Sequence, residues 1–183
     1  MRFTLHEYPD GVETKAGACV VYDLERNEAR FGSASVSARA LVWELGGDER
    51  DAVLARDVEI GAGWLLRCDR IDFPPGSVAH RHTHPGPGIR RLLHGQLTID
   101  TDGADRTFGS GGAWFEAAGD PVLATASASE ETAFVRVLLL PPEWAGMRTI
   151  RYLDPADEAK PKLQRATVLL EEPLPLHVEA AER

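Results

Sequence analysis

Positive charge is in short supply in this 183-residue chain, where 20 Lys and Arg residues face 29 Asp and Glu residues for a formal net charge of −9. No basic field is therefore available to attract a phosphate backbone or an anionic lipid surface, so neither nucleic acid nor a membrane is an expected partner. Cysteine is scarce as well. Cys19 and Cys68 lie far apart and form no Cys-x-x-Cys pair, which predicts two reduced thiols without chemistry.

Long apolar runs and the common catalytic motifs are also missing. Apolar runs such as 137–140 are interrupted by charge or ended by proline well short of a membrane span. Residues 1–7 lack the apolar segment of a signal peptide, so we expect a cytoplasmic protein. A Walker-type phosphate loop and a Gly-x-Ser-x-Gly elbow are both lacking, which argues against a P-loop NTPase and an α/β-hydrolase.

Short strand-like runs dominate the sequence, and between Trp64 and Leu140 no segment has a convincing helical period. In the run that ends at Phe73, residues 68, 70 and 72 alternate with residues 69, 71 and 73, as on a strand with two different faces. Many such runs separated by Gly and Pro turns predict an antiparallel sandwich or barrel. The predicted strands are 18–22, 40–45, 63–73, 96–100, 105–108, 113–116, 122–126 and 132–140.

The chain is long enough for one structural domain with a proper core and extensions on both sides. We expect residues 1–60 to form an N-terminal arm and accessory strands, with the first 17 residues draped on the barrel or reaching a neighbour. Residues 61–142 are the predicted barrel core. Residues 143–183 are the predicted C-terminal extension, with a helical turn near 154–159 and a strand at 166–170, packing on the barrel or on a partner subunit.

Four of the six histidines lie in one stretch, 74–95, around which the chemistry of the chain is organised. His80, His82 and His84 occupy alternate positions. Because side chains on a strand alternate between its two faces, all three are expected to project from one face. This is how a β-strand presents imidazoles to a metal ion.

The same stretch resembles the first motif of the cupins, a family of small double-stranded β-helix or jelly-roll barrels. That motif consists of Gly, a short gap, His-x-His, three or four residues, Glu, six residues and Gly. Gly76, the His82 and His84 pair and Gly95 match it, whereas Gly88 stands in the place of the glutamate. The resemblance implies an all-β, jelly-roll barrel with extra N- and C-terminal strands or arms.

The second cupin motif is matched less well. It consists of Gly, five residues, Pro-x-Gly, two residues, His, three residues and Asn. Gly111 and Gly119 keep its spacing, but Ala117 replaces the proline, Val122 the histidine and Ala126 the asparagine. In metal-bearing cupins the two motifs together supply three His and one Glu to iron, manganese, zinc or nickel. Two of those four ligands remain here, so a divalent transition metal is expected to be held weakly or to be absent.

Two residues outside the conserved ligand positions are candidates for repairing this site. Glu116 lies in the second motif, close in sequence to where the missing histidine would stand, and His80 is expected on the same face as His82 and His84. Two imidazoles and Glu116 would form the two-His, one-carboxylate set of Fe(II) oxygenases. The alternative is that Glu116 faces solvent or forms an ion pair.

Arg90 suggests a different chemistry. If Gly88 faces the barrel interior, strand alternation directs Arg90 inward as well, where a guanidinium needs a partner. Glu116 is the candidate partner and would then not be available to a metal. Arg90 with His82 and His84 would form a cationic pocket for a small carboxylate or phosphate, or Arg90 would simply extend to water. Trp114 is the candidate aromatic wall of this pocket.

Three functions follow from these features. The first is a cupin-fold protein that binds a small polar or anionic molecule through His82, His84, Arg90 and Trp114, with a degenerate metal site. The second is a metal-dependent cupin oxygenase or isomerase with a two-His and carboxylate site. The third is a module whose pocket has decayed and whose arms serve assembly. Because cupins commonly pair through sheet edges and exchanged arms, the resemblance also implies a homodimer.

Overall fold

Almost all of the regular structure is antiparallel sheet in the computed structural model, which describes residues 1–101 and 103–175. The first 57 residues form a five-stranded N-terminal sheet, in the order β4-β3-β6-β1-β7, and a two-stranded ribbon of β2 and β5. The strands are β1 (Arg2–Tyr8), β2 (Val12–Glu13), β3 (Cys19–Asp23), β4 (Glu28–Phe31), β5 (Ser35–Val36), β6 (Ala40–Leu45) and β7 (Leu54–Asp57).

Eight further strands form the barrel. One sheet contains β13-β10-β15-β8 and the other β12-β11-β14-β9, so that the first strand pairs with the eighth and the second with the seventh. This strand order is that of a jelly roll. The strands are β8 (Leu65–Phe73), β9 (Val78–Thr83), β10 (Gly88–His94), β11 (Gln96–Thr101), β12 (Ala104–Gly109), β13 (Ala113–Glu116), β14 (Val122–Ala126) and β15 (Thr132–Leu140).

Strand β15 shows why the molecule has three layers. All nine of its residues are buried, and they read as a nearly continuous apolar run, as expected of a strand covered on both faces. Val135, Val137 and Leu139 share a hydrophobic cluster with the N-terminal sheet, whereas Phe134 and Arg136 line the barrel interior. The N-terminal sheet therefore packs on the outer face of one barrel sheet.

The expectation that residues 1–17 form an arm is wrong for Arg2–Tyr8. This strand pairs with β6 on one side and β7 on the other, so it is an inner strand of the N-terminal sheet. Phe3 and Leu5 are fully buried in the cluster shared with the barrel. Burial of these side chains holds the first residues in the sheet, a contact that their weak local pattern does not predict.

The C-terminal extension links the two barrel sheets. After a 3₁₀ turn at Pro142–Trp144, β16 (Arg151–Tyr152) pairs with β9 of one sheet and β17 (Arg165–Pro173) pairs with β8 of the other. Between them lies α1 (Pro155–Glu158), where Asp154 accepts a capping hydrogen bond. The predicted helical turn and last strand are thus present. Residues 176–183 of the predicted extension lie outside the described residues.

The extension packs on the barrel of its own chain, and β17 is an outer strand of its sheet. Pairing of this edge with a second copy, and hence the homodimer, stays a prediction, as do the domain limits at residues 60 and 142. Within residues 1–101 and 103–175, no helix is long and apolar enough to cross a membrane.

Candidate ligand-binding site

A cavity of about 700 Å³ lies inside the barrel, bordered on one side by the C-terminal extension. That is a volume typical of small-molecule sites. Most of its wall is apolar and is supplied by the inward faces of strands from both sheets. The apolar lining consists of Ile71, Phe73, Ala79, Ile99, Trp114, Val122, Ala124 and Phe134.

Charged and polar side chains form a second part of the wall, which we call the polar layer. Strand alternation places these side chains on the inward faces. On β8, Asp69 lies two and four positions before Ile71 and Phe73 of the lining. On β15, Arg136 lies two positions after Phe134 of the lining. All six members are buried or nearly so. The polar layer consists of Asp69, His82, His84, Arg90, Glu116 and Arg136.

Arg90 and Glu116 form the first ion pair of the polar layer. Nη2 of Arg90 lies 2.6 Å from Oε2 of Glu116, although the two atoms are not aligned as a hydrogen bond. Nη1 of Arg90 donates to the Gly88 carbonyl at 2.6 Å, and Nε1 of Trp114 donates to the other carboxylate oxygen at 2.8 Å. Burial lowers the pKa of Arg90 to about 10 against the opposing effect of Glu116, so the guanidinium is charged at neutral pH.

Arg136 and Asp69 form the second pair. Nε and Nη2 of Arg136 both donate to Oδ2 of Asp69, at 3.1 and 2.9 Å, and Nη2 also lies 3.2 Å from the Thr149 hydroxyl. Nη1 lies 3.3 Å from Nε2 of His84. Neither Arg136 nor Asp69 is among the site residues predicted from sequence. A signal existed, because Arg136 is the one charged residue between Ala133 and Leu140.

A third buried guanidinium, that of Arg67, was also missed. Its side chain is 4% exposed and pairs with Glu171 of the C-terminal extension. It donates to the carbonyls of Met147 at 2.6 Å and of Trp144 at 3.0 Å. Arg67 therefore ties the extension to the barrel beside the cavity, a contact between segments some 80 residues or more apart in sequence.

The two motif histidines face each other in the cavity. Nδ1 of His84 lies 2.9 Å from the Thr149 carbonyl and Nδ1 of His82 lies 2.7 Å from the His80 carbonyl. A carbonyl can only accept, so each Nδ1 carries the proton and each Nε2 presents a lone pair. The two Nε2 atoms are 3.2 Å apart.

Both imidazoles are neutral at pH 7. Burial lowers the pKa of His84 well below its ordinary value, and the nearby charges of Arg136 and Arg90 lower it further. Burial likewise lowers the pKa of His82, against the smaller effect of its hydrogen bond to the His80 carbonyl. The positive charge of the polar layer therefore comes from guanidinium groups and not from the histidines.

His80 does not share the face of His82 and His84, and the expectation that it does is wrong. Val122 of β14 pairs with His82 and Ala124 pairs with Ala79, so three residue steps on β9 match two on β14. This bulge breaks the alternation, and His80 does not line the cavity. The sequence contains no sign of such a bulge.

Position 88, where the cupin motif has its glutamate, has no room for a side chain. A Cβ atom at Gly88 would lie 2.6 Å from Cδ2 of Leu138 and 2.7 Å from the Val137 carbonyl oxygen. The residue directly opposite on β13 is Glu116, so a carboxylate reaches this region from the neighbouring strand instead. Glu116 thus stands close to the place of the missing motif residue but is paired with Arg90.

Gly88→Ala is expected to destabilise the protein by about 1–3 kcal/mol, because the added methyl group overpacks the interior against strand β15. Urea unfolding followed by circular dichroism measures this loss. Gly109→Ala is the matched control, since a Cβ atom there meets nothing within 4 Å. Equal midpoints for the two variants would contradict the crowding at Gly88.

The polar layer fits the metal ion of metal-bearing cupins poorly. Nε2 of His84 lies 3.2 Å from Nε2 of His82 and 3.8 Å from Oε2 of Glu116, so three donor atoms are near one another. However, Arg90 neutralises the carboxylate, and the Arg136 guanidinium is 3.3 Å from Nε2 of His84. A divalent cation would face two positive charges. Across the described residues no three His, Cys, Asp or Glu side chains form a metal-binding group.

Five buried side-chain atoms have no hydrogen-bond partner among the described residues, and all five belong to residues that line this cavity. Buried polar atoms in folded proteins are nearly always paired, so each exception needs a physical explanation. The described residues therefore leave hydrogen-bonding capacity unused around this one cavity. The atoms are Oδ1 of Asp69, Nη2 of Arg90, Oε2 of Glu116, the Tyr152 hydroxyl and Oε1 of Gln164.

All four predicted ligand-binding residues, His82, His84, Arg90 and Trp114, are thus brought together around one cavity. Fold and site define an all-β jelly-roll barrel with a buried, mixed polar and apolar cavity. The strand order confirms the predicted jelly-roll barrel. No protein-family model matches the chain. No curated protein matches it either.

Several solved structures are similar to part of the chain. A Cupin 2 conserved barrel domain protein from Salinispora arenicola is 20% identical, covering 40% of this chain and 61% of its own, with a TM-score of 0.38. The polyketide cyclase RemF from Streptomyces resistomycificus is 17% identical, covering 51% and 63%, with a TM-score of 0.41. An RmlC-like cupin from Shewanella frigidimarina is 17% identical, covering 46% and 83%, with a TM-score of 0.39. The chain spans less than two thirds of the length of the first two.

Proposed function

We propose that this protein binds a small polar organic molecule in the barrel cavity, through the polar layer and without a resident metal ion. The observation that carries this proposal is the set of buried polar atoms without an aligned hydrogen bond, all on residues of one cavity. Three of the five have no partner among the described residues, and the other two face each other at 2.6 Å in the Arg90–Glu116 ion pair. An unpaired buried polar atom costs about 1–3 kcal/mol. A ligand that pairs several of them recovers that free energy as affinity.

The arrangement of charge supports a metal-independent site. Glu116, the carboxylate nearest the two imidazoles, has one oxygen against Arg90 and the other in a hydrogen bond from Trp114. Arg136 donates toward Nε2 of His84, the atom that would otherwise bind a metal.

A metal-dependent oxygenase or isomerase is the second candidate, and one observation favours it. His82 and His84 each donate their Nδ1 proton to a carbonyl, which leaves the two Nε2 lone pairs directed at each other. Metal-ligating histidines are oriented in this way by a carbonyl or carboxylate behind the ring. The first candidate predicts that purified protein carries no bound metal, and the second predicts a stoichiometric transition metal.

The test combines elemental analysis with a ligand screen on untagged protein. We expect iron, manganese, nickel and zinc far below one equivalent, together with saturable stabilisation by members of a panel of small carboxylic acids, phenols, polyols and amines. Near-stoichiometric metal that is lost in the His82→Ala, His84→Ala double variant would favour the second candidate instead. Thermal shift and ligand-observed NMR provide the binding signal.

Two variants, each with one alanine replaced by phenylalanine, locate the binding site. Ala124 lines the cavity and is 5% exposed, so Ala124→Phe is expected to project a ring into the cavity and to weaken the binding of every panel member. Ala128, in the exposed loop after the same strand, gives the matched control Ala128→Phe, which should bind as the wild type does. Unchanged binding in a folded Ala124→Phe protein would mean that the ligand binds elsewhere, and it would contradict the proposal.

A further inference from the structure

The charges that line the cavity are balanced, and this restricts the ligand. Each of the three buried guanidiniums has its own carboxylate: Arg67 with Glu171, Arg90 with Glu116, and Arg136 with Asp69. Each imidazole holds its Nδ1 proton against a backbone carbonyl and presents Nε2 to the other ring, an arrangement of two neutral rings. The charge of the cationic pocket expected from Arg90, His82 and His84 is therefore compensated by nearby carboxylates. An ionised ligand would leave a net buried charge, which is costly.

The remaining cations of the wall lie toward solvent and do not change this balance. Arg148 is 53% exposed and pairs with Glu158. Lys162 is partly exposed at the rim and packs over the Tyr152 ring, 4.9 Å from its centroid. Charges in such positions are largely compensated by water. The interior of the cavity therefore favours an uncharged molecule.

The unpaired atoms specify which hydrogen-bonding groups the molecule must have. Oδ1 of Asp69, Oε2 of Glu116 and Oε1 of Gln164 can only accept. Nε2 of His82 presents a lone pair as well, whereas that of His84 already accepts from Arg136. Nη2 of Arg90, which faces Glu116 in the ion pair without an aligned hydrogen bond, is the one atom of this set that can only donate, and the Tyr152 hydroxyl can do either. The ligand must consequently present several donors. A carboxylate or phosphate ester dianion has none.

The rest of the wall specifies the body of the molecule. Trp114 stacks on Phe108 with ring centroids 4.9 Å apart, and meets Phe134 edge to face at 5.3 Å. A flat apolar ring packs well against such a wall. A sugar would direct hydroxyl groups around its whole ring into the apolar lining, where they would remain unpaired. Donor groups must therefore be confined to one edge.

From these restrictions we infer that the ligand is an uncharged aromatic molecule with two or more hydroxyl groups on one edge, bound by the polar layer while its ring contacts the apolar lining. This inference rests on the proposed function and names the ligand class of the same cavity. Each of two hydroxyl groups donates to one of the acceptors Asp69, Glu116 and Gln164. Their oxygens accept from Arg90 and from the Tyr152 hydroxyl.

The experiment measures the affinities of matched probes by calorimetry at pH 7. The probes are 2,3-dihydroxynaphthalene, 2-naphthol, 2-naphthoate and myo-inositol. We expect 2,3-dihydroxynaphthalene to bind at least about tenfold more tightly than any of the others, a factor that corresponds to one additional hydrogen bond. Equal or tighter binding of naphthoate or inositol overturns the inference but leaves the proposed function intact.

A complete lack of binding by these probes also overturns the inference. The proposed function is then decided separately by the panel and Ala124→Phe, so the two failures are distinguishable.

Two variants test the contacts themselves. Tyr152→Phe removes a hydroxyl that has no partner among the described residues, so it should weaken 2,3-dihydroxynaphthalene about tenfold without lowering the thermal stability of the free protein. Tyr8→Phe, at an exposed tyrosine outside the cavity, is the matched control and should leave both unchanged. Unaltered affinity in Tyr152→Phe counts against the assigned contacts.

Glu116→Gln tests the charge balance, because it leaves Arg90 as an unpaired buried cation. The variant should bind 2-naphthoate at least about tenfold more tightly than the wild type does, while losing affinity for 2,3-dihydroxynaphthalene. No gain for naphthoate in a folded variant overturns the balance as the reason for selecting an uncharged ligand. Should this variant not fold, Tyr152→Phe and the probe series still decide the inference.

Discussion

Replacing Arg136 with leucine is expected to destabilise the protein by about 3–5 kcal/mol, because it leaves Asp69 as an uncompensated buried charge. Asp69 is 2% exposed and receives two hydrogen bonds from Arg136. Urea unfolding at pH 7 measures the loss.

The double variant Arg136→Leu, Asp69→Leu should recover most of the stability, since apolar side chains of similar volume often replace a buried ion pair at little cost. Arg50→Leu is the control for losing an arginine as such. Its side chain is 85% exposed in the pair with Asp48, and such pairs contribute at most about 1 kcal/mol. If Arg136→Leu cost no more than Arg50→Leu, Asp69 would not depend on Arg136 for its charge.

Lowering the pH from 7 to 5 is expected to reduce the stability of the folded protein, with His84 as one cause. The pKa of His84 is well below its ordinary value in the folded protein, because burial and the charges of Arg136 and Arg90 oppose protonation. The unfolded chain therefore binds a proton below about pH 6.5 that the folded protein does not. This contribution is complete above that pH and is lost as the pH falls.

Urea unfolding at several pH values measures this dependence. His82, whose pKa is lowered in the same direction, adds to the slope. The double variant His82→Gln, His84→Gln should show a flatter profile between pH 7 and 5, whereas His94→Gln, at an exposed histidine, should keep the slope of the wild type. An unchanged slope in the double variant would mean that other groups cause the pH dependence.

Local pattern predicted much of the barrel. The alternation on β8 correctly separates Asp69, Ile71 and Phe73 from the residues on its other face, because side-chain direction on a regular strand depends only on position. His82, His84 and Arg90 were found in the same way. The method fails where the strand is irregular, as at His80, since a bulge depends on how β9 aligns with β14.

The N-terminal sheet shows that local sequence pattern can also fail to predict a whole layer of the fold. Phe3 and Leu5 belong to a short stretch with weak periodicity, yet they are fully buried against the barrel. Trp43, also fully buried, donates to the Ile89 carbonyl of the barrel at 3.2 Å. Contacts between segments this far apart in sequence leave no local mark, so the chain suggested an arm where a packed sheet exists.

By itself the sequence determined the all-β class, the turns, the jelly-roll resemblance and the inward direction of most site residues, because these depend on composition and on alternation within single strands. Only the tertiary structure decided what the site is. It placed Arg136 against Asp69 and Arg90 against Glu116, and it left a group of hydrogen-bond acceptors unpaired in one cavity. Those properties depend on strand register and on contacts across the barrel, and the local sequence pattern specifies neither of them.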